Sequence, residues 1–91
     1  MKITVSFNRF NGYDMRKIKL IWDFRGPDAQ KIAEHHEIHL KDYMLREKLG
    51  DLTTGVEALN DHHVLAFLVV NEDQMISVRD ALKPHRGVFT D

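Results

Sequence analysis

Residues 63–70 read HVLAFLVV. Val64, Ala66, Leu68 and Val70 alternate with Leu65, Phe67 and Val69, so a strand here is apolar on both faces. Such a strand belongs inside a sheet, covered on both sides. This constrains the rest of the chain, which must supply neighbours and covering layers. KIKLIWDF, residues 17–24, supplies one neighbour. It puts Ile18, Leu20, Trp22 and Phe24 on one face and Lys17, Lys19, Ile21 and Asp23 on the other. TTGVEAL, residues 53–59, reads as a short strand that reaches residues 63–70 through the turn Asn60-Asp61-His62. RGVFT, residues 86–90, can form a last edge strand.

Two helices fill the gaps. The first is predicted from about Pro27 to Leu49, with Pro27 at its first position and Gly50 as its stop signal. At helical spacing Ala29, Ile32, Ala33, His36, Leu40, Tyr43 and Met44 form a core-facing stripe. Ile38, Leu45 and Leu49 form a smaller stripe on the far side. The second helix follows Asn71-Glu72-Asp73-Gln74, a capping box, and Pro84 closes it. The order is βαββαβ. It predicts an α+β, ferredoxin-like fold: a four-stranded antiparallel sheet with two helices on one face. The other face is left bare, and two such sheets can cover each other as a homodimer. Residues 1–16 stand apart from the domain at 17–91. MKITVSF alternates like a strand, and NRFNGYDM is rich in turn residues, so the segment is an N-terminal arm or an extra edge strand.

Composition narrows the function. The chain has 91 residues, 43% of them hydrophobic and 30% charged, the size and mixture of one small domain. Thirteen basic and 14 acidic residues leave a net charge of -1, which gives no net attraction to nucleic acid or to anionic membrane. No apolar run approaches the roughly 20 residues that span a bilayer. Cysteine is absent, which removes disulfides and thiolate chemistry and fits a reducing cytoplasm. P-loop, GxGxxG and GxSxG motifs are absent, so no cofactor is expected.

Three of the six histidines fall in AEHHEIHLKDY, residues 33–43. His36 lies on the core-facing stripe, where an imidazole needs a hydrogen-bond partner. His39 lies at the rim, within reach of a ligand. His35 and His39 are spaced i, i+4, the beginning of a metal site if His62, His63 or His85 supplies a third ligand. HEIH falls short of the HExxH arrangement. Asp23 points into the bare face, where a carboxylate in an apolar cavity is a candidate general acid or base. The expected catalytic set is His39, His36 and Asp23. Trp22, Arg25, Tyr43 and His63 are the expected ligand contacts. KPHR, residues 83–86, could bind a phosphate or carboxylate.

The strand KLIWDF, the pair His39-Leu40, Tyr43 shortly after and the βαββαβ order together resemble the dimeric α+β-barrel superfamily, and within it the YciI-like proteins. That resemblance covers roughly residues 17–90. It implies a homodimer with a cleft between sheet and helices and a His–Asp pair for acid–base chemistry, with His39 as the family histidine. The chain departs from the family at NEDQMISVRDALKPH, which has no Asp-Pro pair, and keeps only Gly50 and Gly55 where the family is glycine-rich. The leading expectation is a cytoplasmic homodimer that binds a small molecule and performs simple lyase, isomerase or hydrolase chemistry. The alternatives are a non-catalytic ligand-binding or regulatory module, an interaction protein and a histidine-based metal binder.

Overall fold

The strand apolar on both faces, β4 (His63–Asn71), lies inside the sheet of the computed structural model. It pairs antiparallel with β2 (Lys17–Arg25) on one side and β3 (Thr53–Asn60) on the other. β5 (Arg86–Thr90) pairs antiparallel with β2. These four strands form the ferredoxin-like sheet. A fifth, β1 (Lys2–Thr4), pairs in parallel with β5, so the full order is β1-β5-β2-β4-β3. The structure describes residues 2–4, 16–50 and 52–90, with side chains from residue 16 onward. The rest of the segment at 1–16 lies outside the described residues.

Strand alternation decides where the core sits. Ile18, Leu20 and Trp22 of β2 and Val64, Ala66, Leu68 and Val70 of β4 pack under the helices with Ala29, Ala33, Leu40 and Val78. The opposite face carries Lys19, Ile21 and Asp23 of β2, with Leu65, Phe67 and Val69 of β4 opposite in register. Among the described residues no helix covers this face, yet Ile21 and Leu65 are each only 4% exposed. Leu45 and Ile38 of the first helix are far more exposed than either.

The first helix, α1 (Ala29–Arg46), is shorter at both ends than its pattern predicts. Gly26, at φ 110°, turns the chain out of β2 and donates its N–H to the His62 carbonyl at 2.9 Å. Asp28 then precedes the first helical residue, so Pro27 lies outside the helix. At the other end Lys48 takes the left-handed conformation, and the Leu49 N–H returns to the Met44 carbonyl at 3.0 Å. Leu49 thereby packs on the core instead of joining Ile38 and Leu45 outside. Ile32, expected on the core stripe, is 47% exposed. Ala29 and Ala33 take the contact, and their small side chains let α1 lie close to the sheet.

The Asn71–Gln74 box forms as the sequence indicates. The Asn71 N–H donates to Gln74 Oε1 at 3.1 Å, and the box opens a 3-10 turn (Glu72–Gln74) leading into α2 (Met75–Leu82). Gln74 Nε2 also reaches the Leu49 carbonyl at 3.4 Å, joining the end of α1 to the start of α2. Lys83, left-handed, ends α2 just before Pro84.

Candidate functional site

Strand register builds one polar cluster on the face without helices. Asp23 lies opposite Leu65, Arg25 opposite His63, and Ile21 opposite Arg86. Asp23 is therefore diagonal both to the first residue of β4 and to the first residue of β5, within reach of long side chains. Arg86 uses that reach twice: its Nε donates to Asp23 Oδ2 at 2.9 Å and its Nη2 to Oδ1 at 3.0 Å. His63 Nε2 stands 2.8 Å from Asp23 Oδ1. The Asp23 side chain is 16% exposed and that of His63 14%.

Asp23 is fixed through its backbone as well. The β2–β5 ladder ends at Ile21 and Arg86. Beyond it the His85 N–H donates to the Ile21 carbonyl at 2.9 Å, and His85 Nδ1 accepts the Asp23 N–H at 2.8 Å. A side chain thus continues the ladder where the strand stops.

The bidentate Arg86 guanidinium holds the Asp23 carboxyl at about 2, below its ordinary 3.8. Partial burial opposes this, and His63 adds to it. The same bond to Asp23 raises Arg86 further above its ordinary range. Near neutral pH Asp23 is therefore an anion and Arg86 a cation.

The expected site residues fall into two groups separated by the sheet. Asp23, His63 and Arg25 share the face without helices, with Arg25 exposed at the end of β2. His36 is on the helix side, its ring 4.9 Å from that of Trp22 and 5.4 Å from that of Phe24. The sheet thus stands between Asp23 and both His36 and His39. Burial pushes the His36 imidazole below its ordinary value, with His39 and His85 adding to the effect, and His36 Nε2 is buried without a hydrogen-bond partner. His39 is exposed and meets His35 edge to face, ring centres 4.8 Å apart. Trp22 is a core residue, 3% exposed, and its Nε1 donates to the Leu82 carbonyl at 3.0 Å. Tyr43 is half-buried against the core, with the Arg46 guanidinium 5.7 Å from its ring centre.

Sequence reasoning missed Arg86 as the partner of Asp23, since KPHR gives no sign of which strand β5 joins. Among the described residues no group of three or more His, Asp or Glu side chains is placed to hold a metal ion. Among the described residues no helix is long and apolar enough to cross a membrane. Comparison with protein-family models, curated proteins and solved structures finds no match for this chain.

Proposed function

We propose that this protein is a small homodimeric, cytoplasmic small-molecule-binding protein that carries out acid–base chemistry through His63. The observation that supports this is the 2.8 Å bond between His63 Nε2 and a carboxylate that Arg86 keeps ionised. An anionic Asp23 accepts the Nε2–H of neutral His63. The Nδ1 lone pair is then the imidazole's basic site. Arg86 keeps Asp23 ionised near neutrality, so Asp23 serves as the acceptor that orients His63 rather than as the base. In the step we propose, a substrate C–H breaks, its proton bonds to Nδ1, and the electron pair stays on the substrate as an enolate. His63 becomes a cation beside Asp23, and the proton returns to another carbon or oxygen.

The dimer in this reading is the barrel type that the sequence resembles. A second copy covers the partly exposed Phe67 and Val69 on this face and encloses His63 away from bulk water. Light scattering at micromolar concentration tests the assembly, and a stable monomer removes it. Exchange of the carbon-bound protons of pyruvate and of dihydroxyacetone in deuterium oxide tests the chemistry. We expect exchange faster than in buffer for at least one, lost in His63→Gln. Equal rates for wild type, His63→Gln and buffer would overturn the acid–base reading.

A further inference from the structure

The cations on the face without helices are not equivalent. Arg86 is committed to Asp23 through two hydrogen bonds. Lys19 stands 3.5 Å from Glu57 Oε1 and over the Phe67 ring at 4.4 Å. Lys17 is at the far end of β2, eight residues from Arg25, or roughly 26 Å along a strand. Arg25 is exposed and opposite His63 in register, with no acidic partner among the described residues. A guanidinium without a counter-ion, next to the imidazole proposed as the base, is a ready carboxylate site.

We propose that the molecule acted on at His63 is a small organic carboxylate, docked through its carboxylate on Arg25. This rests on the reading of His63 as the proton carrier and adds the substrate class to it. Directly opposed residues on antiparallel strands bring their Cβ atoms to about 5 Å, so a ligand held by Arg25 is beside the His63 ring. The charges also agree. Asp23 and Arg86 cancel, which leaves Arg25 as the local excess charge before His63 takes a proton. A substrate with one negative charge neutralises it, whereas a neutral or cationic substrate leaves it exposed or adds to it. The carboxylate also fixes the register of the substrate, so that the carbon next to it faces Nδ1 rather than solvent.

Benzoate and its neutral counterpart benzamide are the probes, with binding followed by NMR of the Arg25 side chain and the His63 ring. We expect benzoate to move both sets of resonances and benzamide to bind at least about tenfold more weakly, the loss of one charge-assisted hydrogen bond. Arg25→Gln should weaken benzoate by a similar factor. His63→Gln should leave benzoate binding in place. Arg25→Gln should also raise the KM for pyruvate exchange with kcat little changed, and Arg25→Lys should restore part of the loss. Arg25 is exposed, so these variants should melt as wild type does. Equal affinity for benzoate and benzamide, or an Arg25→Gln protein that binds benzoate as wild type does, overturns the carboxylate assignment. Benzoate binding through Arg25 without proton exchange at His63 would uphold the docking site and remove the chemistry instead.

Discussion

A Cβ placed on Gly55 would lie 2.5 Å from Cζ of Phe67 and 2.7 Å from its Cε2. Phe67 therefore lies flat on a glycine of the neighbouring strand, with the ammonium of Lys19 over its ring. Gly55→Ala should push the ring away and cost about 1 kcal/mol or more, even though alanine suits a strand better than glycine. Chemical unfolding measures this. The same Gly55→Ala change in a Phe67→Leu background should be close to neutral, because the obstructing ring is gone. Additive losses would show that the ring is not the cause.

Arg86→Leu should destabilise the protein by about 1–3 kcal/mol, since it leaves a mostly covered carboxylate with His63 as its remaining side-chain partner. Adding Asp23→Asn should recover part of this by removing the charge. A double variant less stable than Arg86→Leu alone would contradict the ion-pair account.

Acid should weaken the fold in two separate windows. His36 has its value lowered by burial, so its contribution is complete above about pH 6.5 and shrinks as pH falls toward its folded value. Asp23 sits at about 2 against an ordinary 3.8. Its contribution is complete above about pH 4 and is lost as pH falls toward 2, about 1 kcal/mol after solvent screening. Unfolding free energies measured against pH should show both slopes. His36→Phe should flatten the first and Asp23→Asn the second. A slope unchanged by its own substitution would assign that window to other groups.

Trp22→Phe should cost about 1–3 kcal/mol, because it removes a hydrogen bond to the last carbonyl of α2 and leaves a gap in the core. Amide hydrogen exchange should quicken at the end of α2 more than in α1. Uniform quickening would mean that Trp22 supports the whole fold rather than that helix end.

The fold was legible where local chemistry determines it. β4 declared itself by being apolar on both faces, the Asn71–Gln74 box marked a real helix start, and RGVFT is β5 from first residue to last. Helix ends were less legible, because Lys48 rather than Gly50 turns the chain first and Gly26 displaces Pro27 from the helix. Ile32 was misplaced because hydrophobicity marks a stripe but not how closely the helix approaches, which Ala29 and Ala33 decide. The candidate site was half legible. Asp23 and His63 were both visible as candidates, but nothing local joins them. Arg86 is 63 residues from Asp23 in sequence and meets it only because β5 lies beside β2. His36 and His39 drew attention by clustering in sequence, whereas the strongest polar contacts come from residues scattered across three strands.

The pairing of β1 with β5 also shapes how the molecule avoids joining others of its kind. In a bare ferredoxin-like sheet, β3 and β5 would both offer a long row of unpaired amides and carbonyls to any passing strand. Here a three-residue strand occupies the flank of β5. On that side a newcomer meets β1 in place of the open flank of β5. Among the described strands, runaway sheet-by-sheet polymerisation has one long starting edge, β3, and its eight residues are where charges or a proline would be placed to keep the protein in solution.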